Sequence, residues 1–319
     1  MTTPNSSEIA GVLPVFQTPY HEDESIDFAT LEREIHWLYD RGADGIVMAM
    51  VSELLRLSSE EREQLAEAAC RFGRERGRVV ISVGAEAAVL AERYARQAEA
   101  AGAHAVMAIP PVSIAALTSD VLRYYERIIR ATSLPVIVQD ASGYVGRPMP
   151  VELLARLLAE FGERILFKPE ATPIGPRLSE LRDTVAALPA GASAKGTSAG
   201  RPVLRVFEGS GGIALVDSYR RGIVGTMPGA DLIEGIVALW RALQAGDEQR
   251  IYELSLPISS LVALQTGLDG FLAVEKYLLV KQGVFKNTIV RGPRNFELDE
   301  ETRQEVDRLF DRVMAAVRR

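Results

Sequence analysis

The stretch GADGIVMAM, residues 42–50, returns sixty positions later as GAHAVMAIP at 102–110, with a shorter echo, RGIVGTM, at 221–227. The two longer copies set a glycine, where a helix would end, just ahead of a buried apolar strand. Sixty residues hold two strand–helix units of about 30 residues each. A strand and a helix in repeated alternation imply a parallel sheet with crossover helices, and this kind of repetition favours a closed (β/α)8 TIM barrel over an open doubly wound sheet.

Eight short apolar runs fit the scheme: GVLPVFQTP (11–19), DGIVMAM (44–50), RVVISVGA (78–85), HAVMAIPP (104–111), LPVIVQDA (134–141), RILFKPE (164–170), PVLRVFEG (202–209) and GIVGTMPG (222–229). Between them lie amphipathic segments. In FATLEREIHWLYDRG, Leu31, Ile35, Leu38 and Tyr39 share one face and Gly42 stands at the helix end. Ser58 with Glu61 makes a capping box, and Pro150 is placed to open MPVELLARLLAEF. GASAKGTSAG (191–200) reads as a surface loop before strand seven. From residue 232 the pattern is helical only. We therefore expect a catalytic barrel over 1–231 and a C-terminal helical extension over 232–319, packed on the barrel or on a partner subunit.

Composition narrows the function. A chain of 319 residues, 47% hydrophobic and 25% charged, is an ordinary globular protein. A net charge of −7 gives no basic field for nucleic acid or a membrane surface, so a small-molecule partner is expected. No run approaches the roughly 20 apolar residues needed to span a bilayer. The start MTTPNSSEIAG is unlike a signal peptide. The one cysteine, Cys70, sits in a helical run as a small apolar residue. These features together lead us to expect a cytoplasmic protein.

Barrel enzymes carry their chemistry at the C-terminal ends of the strands, which here offer Thr18, Ser52, Glu53, Glu86, Gln139, Asp140, Lys168, Glu170, Glu208 and Ser210. Lys168 is singled out by composition. The chain has only five lysines (168, 195, 276, 281 and 286) among 36 basic residues, so its solvated cations are nearly always arginine. A lysine among apolar neighbours can lose its proton and attack a carbonyl, which arginine cannot do. The alternative is a lysine that snorkels or pairs with Glu170. Glu170 and Gln139-Asp140 are candidates for the proton transfers that an imine-forming lyase needs, or one carboxylate merely balances charge. Ser52 is suited to hold a substrate carboxylate, with a structural hydrogen-bonding role for Glu53. Glu53, Glu86, Asp140, Glu170 and Glu208 could instead hold Mg²⁺, although such a site has no need of a lysine. His21, His36 and His104 lack metal-ligand spacing. EGSGG (208–212) lacks the GK[ST] of a phosphate loop and reads as a turn.

GVLPVFQTPY, SELLRLSSEER and ILFKPEAT together resemble the N-acetylneuraminate lyase and dihydrodipicolinate synthase superfamily along nearly the whole chain. The resemblance implies a class I lyase in which Lys168 forms a Schiff base with a 2-oxo acid, with no cofactor or metal. It implies substrate-binding positions at Thr18, at Val51 and Ser52 in the carboxylate loop, and at Gly209 and Ser210. It also implies a homo-oligomer, a dimer or a tetramer built from dimers. The departures are informative. Gln139-Asp140 stands where a Tyr is usual on strand five, AMVSE (49–53) replaces GTTGE, and Val112 follows Pro111 where a second tyrosine is expected. Tyr144 could substitute. The set VMAIPP, VIVQDA and FKPE is similar to the sugar-acid branch, as in 2-keto-3-deoxy-L-arabonate dehydratase-like proteins. A dehydratase of a 2-keto-3-deoxy sugar acid is the leading expectation. A pyruvate-dependent aldolase, a non-catalytic barrel that binds a 2-oxo acid, and a metal-dependent enolising enzyme are the alternatives.

Overall fold

The computed structural model describes residues 9–143, 145–188 and 203–319. Tyr144, most of the N-terminal stretch 1–11 and the loop at 191–200 lie outside the described residues. Strands and helices alternate: β1 (Gly11–Val12), α1 (Phe28–Asp40), β2 (Gly45–Met48), α2 (Ser59–Gly73), β3 (Arg78–Ser82), α3 (Ala88–Ala101), β4 (Ala105–Ala108), α4 (Thr118–Ala131), β5 (Val136–Asp140), α5 (Val151–Phe161), β6 (Ile165–Pro169), α6 (Ile174–Ala186), β7 (Phe207–Glu208), α7 (Leu215–Arg220) and β8 (Gly225–Thr226). Four further helices follow: α8 (Ile233–Ala245), α9 (Glu248–Val262), α10 (Gly267–Lys281) and α11 (Glu300–Val317). Each strand lies inside the run read from the sequence.

The regular strands are shorter than those runs where proline interrupts the ladder. Pro14 and Pro19 lack an N–H within the first run, and Pro228 lacks one in the eighth. Pairing nevertheless continues past β1, because Val15 bridges both Val47 and Gly229 in parallel. The repeat that betrayed the fold has a conformational cause. Gly42, Gly102 and Gly222, at φ +95°, +91° and +87°, turn the chain out of α1, α3 and α7 in the left-handed region that a side chain disfavours. Ser58 closes its box with Glu61 at the start of α2: the Ser58 hydroxyl accepts from Glu61 N, and Ser58 N donates to Glu61 Oε2.

The packing forms two compact units. Among the described residues, one comprises 9–10, 80–143, 145–188, 203–209 and 217–225. In it β3, β4, β5 and β6 pair in parallel in chain order, and Phe167 of β6 bridges Val206. Every residue of β4, β5 and β6 is buried, as expected of parallel strands covered on both faces. Helix α3 packs on α4, and α5 on α6. The second unit comprises 11–79, 210–216 and 226–319, in which α1 packs on α2, α8 on α9, and α11 on both α8 and α9. The apolar face expected on α1 is buried at Leu31, Ile35, Leu38 and Tyr39. Among the described residues no single helix is long and apolar enough to cross a membrane.

The second unit also buries acids. Glu34, Asp231 and Glu275 are almost fully enclosed. Gln17 N donates to Glu34 Oε1 (2.9 Å) and Gln17 Nε2 to Glu275 Oε2 (2.5 Å), while Gln265 Nε2 donates to Asp231 Oδ2 (3.2 Å). These amide partners are neutral, so loss of water dominates. Burial pushes Glu34 and Glu275 well above the usual carboxylate range and raises Asp231 from 3.8 to about 7. A carboxyl whose pKa is raised by folding stabilises the fold fully below its unfolded value. That stability is lost as pH rises through the folded value, because the unfolded chain releases the proton first. Thermal stability is therefore expected to fall as pH rises from about 5 to about 8, and Asp231→Asn to be less pH-dependent and more stable at the upper end. A melting temperature that is flat or rising across that window in the parent protein would contradict this.

Candidate active site

Strand geometry decides which polar side chains meet in the first unit. Successive residues of a strand face opposite sides, so Lys168 and Glu170 share one side of β6 and Pro169 takes the other. In the register of β5 and β6, Gln139 lies opposite Lys168 and Asp140 opposite Pro169. Gln139 is thereby grouped with Lys168 and Glu170, and Asp140 is turned away from them.

The three grouped side chains are hydrogen-bonded. Lys168 Nζ donates to Glu170 Oε1 at 3.1 Å, and Gln139 Nε2 donates to Glu170 Oε2 at 2.6 Å. Lys168 is only 3% exposed and Glu170 4%. Burial raises the pKa of Glu170 and the charge of Glu208 adds to the rise, opposed by the Lys168 ammonium and the Gln139 amide. Glu170 is therefore a carboxylate with increased proton affinity, held against an amine. That is the arrangement needed to move a proton between nitrogen and a substrate carbon.

Gly209, at the end of β7, closes over this pair. A Cβ there would lie 2.5 Å from Lys168 Cε and 2.7 Å from Glu170 Oε1, so only the absence of a side chain allows so close an approach.

Asp140 does different work. Its Oδ1 accepts from Ser142 N (3.0 Å), its Oδ2 from Met149 N (2.8 Å), and its carbonyl from Glu170 N (2.8 Å). It ties down the chain after β5 and fixes the backbone of Glu170. Glu86 likewise fastens the chain after β4, accepting from Val112 N, Ser113 N and the Ser113 hydroxyl. Among the described residues no three His, Cys, Asp or Glu side chains converge as a group able to hold a metal.

The remaining candidates belong to the second unit. Ser52 Oγ donates to Phe16 O (2.6 Å) and accepts from Ala49 N (3.1 Å), and Thr18 Oγ1 donates to Ser52 O (2.7 Å). Both hydroxyls thus shape the tight turn at Met50–Ser52, in which Val51 is half-buried. Ser210 Oγ accepts from Ala214 N (2.8 Å) at the approach to α7. Glu53 has the structural role expected of it, paired at 2.5 Å with Lys276 Nζ. The Lys276 side of this pair was not anticipated. Yet the scarcity of lysine that marks Lys168 marks Lys276 equally, set as it is in the apolar helix LAVEKYLLV.

Alternating strands and helices with a buried lysine, glutamate and glutamine grouped at the end of the sixth strand define an α/β fold with a candidate active site. The model of the dihydrodipicolinate synthetase family matches residues 8–166. A relative named L-2-keto-3-deoxyarabonate dehydratase, from Azospirillum brasilense, is 25% identical over 96% of this chain and 95% of its own. A probable 2-dehydro-3-deoxy-D-pentonate aldolase from Escherichia coli is 24% identical over 94% and 95%. Among solved structures, a putative dihydrodipicolinate synthetase from Pseudomonas aeruginosa matches 96% of this chain and 99% of its own, with a TM-score of 0.83 and 23% identity. A sialic acid aldolase from Ruminococcus gnavus matches 97% and 98%, with a TM-score of 0.82 and 16% identity. These likenesses show the (β/α)8 barrel with its C-terminal helices. The chain belongs to the dihydrodipicolinate synthetase family, a family of lyases.

Gly209→Ala is expected to push the Lys168–Glu170 pair apart and reduce turnover by about 100-fold while leaving the circular dichroism spectrum intact. Retention of near-parental turnover would show that the close approach of β7 has no part in the chemistry.

Proposed function

We propose that the protein is a dehydratase of a 2-keto-3-deoxy sugar acid working through a Schiff base on Lys168. The observation that carries the reading is the buried Lys168–Glu170 pair, 3.1 Å apart, with Gln139 fixing the second carboxylate oxygen. Glu170 takes the ammonium proton, and the free amine adds to the C2 carbonyl. Loss of water gives the protonated imine, which acts as the electron sink. Glu170 gives its first proton to the departing carbinolamine hydroxyl, which leaves as that water, and then removes a proton from C3 to form the enamine. It then returns that proton to the C4 hydroxyl, which leaves as water as the C3–C4 double bond forms. Hydrolysis of the imine consumes one water and restores Lys168, so the net change is loss of one water.

In this reading Glu170 is the proton carrier. Gln139 positions it, and Asp140 acts on the backbone and the following loop. The resemblance gives the substrate carboxylate to the turn containing Val51 and Ser52. Because both hydroxyls there are engaged, Thr18 and Ser52 serve chiefly to hold that turn in shape.

The sugar-acid substrate is supported by the similarity to the Azospirillum brasilense dehydratase over nearly both chains. An aldolase is the second reading, supported by the Escherichia coli relative. Both use the same enamine and differ in the bond broken next. Incubation with 2-keto-3-deoxy-L-arabonate followed by mass spectrometry separates them. A product lighter by one water with the carbon chain intact is expected; pyruvate plus an aldehyde would replace this reading with the second. Glu170→Gln should lower kcat by about 100-fold or more.

We infer a homo-oligomer and a reducing, cytoplasmic setting. Ile114 and Leu117, 65% and 70% exposed, line one groove of the first unit and offer an apolar face for a second copy. Cys70 is buried, its thiol pushed up to about 12 by loss of water, and suits a compartment without disulfides. Sedimentation should show more than one copy in the particle, and Ile114→Glu with Leu117→Glu should shift it towards the monomer. A monomeric parent protein would contradict the inference.

A further inference from the structure

Lys276 is a fully buried ammonium group far along the chain from Lys168 and outside the proposed chemistry. An ammonium carries three N–H donors, and three acceptors meet them here. They are Glu53 Oε1 at 2.5 Å, Thr18 O at 2.8 Å and Ile289 O at 2.6 Å. The Tyr20 ring lies beneath the charge, 4.6 Å from Nζ to its centre.

The other oxygen of Glu53 accepts from Arg291 N (3.1 Å) and lies 3.8 Å from Arg56, which in turn pairs with Asp269 of α10 at 2.5 Å. Arg291 also covers the Tyr20 ring and pairs with Glu61. Glu53 itself has φ +58°, a left-handed conformation costly for a residue with a side chain, and it ends the turn Met50–Ser52. That conformation persists because both carboxylate oxygens are held from α10 and from the segment 289–291. From the other direction the same turn is held by Phe16 and Thr18.

We propose that Lys276 is a positioning residue for substrate binding: through Glu53 and the Thr18 carbonyl it sets the Ala49–Glu53 turn in the shape that receives the carboxylate of the 2-oxo acid. This rests on the reading above that gives the carboxylate to that turn, and it assigns to the C-terminal helices a part in substrate affinity.

The test measures binding of pyruvate and of hydroxyacetone, a ketone without a carboxylate, to the full-length protein by calorimetry. Lys276→Met should weaken pyruvate by about tenfold or more and leave hydroxyacetone within about twofold. In turnover of the sugar acid, KM should rise and kcat stay within a few-fold. Equal weakening of both ligands, or of neither, would overturn the proposal, because a merely structural lysine has no preference for the carboxylate. Should Lys276→Met not fold, Glu53→Gln keeps the shape of the side chain, removes the charge, and is judged by the same two ligands. Failure of the parent protein to bind pyruvate would instead sink the Schiff-base reading, an outcome distinct from loss of selectivity in the variant.

Discussion

A lysine near the end of one buried strand and a glutamate just past it impose the constraint around which the first unit is built. Burying either charge alone would be severely unfavourable, and removing one partner of such a pair commonly costs about 3–5 kcal/mol. The pair is tolerated because each group satisfies the other and Gln139 takes the remaining carboxylate oxygen. The same enclosure gives the pair its chemical value, since loss of water raises the proton affinity of Glu170 beside an amine that must lose a proton to react. Gly209 then follows as a necessity, because any side chain there would occupy the space of Lys168 and Glu170.

Alternation along a strand sorts the remaining polar groups by task. Asp140 is adjacent to Gln139 in sequence but on the other side of β5, and its oxygens serve the backbone of the segment up to Met149. In the second unit the acids divide in the same manner. Glu53 is compensated by Lys276 and holds a strained turn, whereas Glu34, Asp231 and Glu275 have amide partners and burial raises their proton affinity. One buried lysine thus supports a proposed covalent step and a second supports the geometry of a turn.

Much of this was legible in the sequence. The repeated glycine before GIVMAM and AVMAIP encodes the left-handed exit from a helix, and the leucine spacing of α1 encodes its buried face. Lys168 was marked by the scarcity of lysine, and Glu170 by its spacing of two. The functions of Asp140 and Ser52 were not legible, because whether a side chain reaches a substrate or its own backbone depends on distances that a strand-end position does not specify. Lys276 and the buried acids were missed for a related reason. The partners of Lys276 and Glu275, Glu53 and Gln17, lie more than two hundred residues away in sequence, and those of Glu34 and Asp231 lie well beyond one helical turn, so no local pattern announces them.

Covalent bonding of Lys168 to a 2-oxo acid underlies the proposed reaction, and borohydride reduction in the presence of pyruvate detects it. The expected result is a reduced pyruvyl adduct on the peptide containing Lys168, absent from Lys168→Arg. No adduct, or one on another lysine that survives that substitution, would contradict the account.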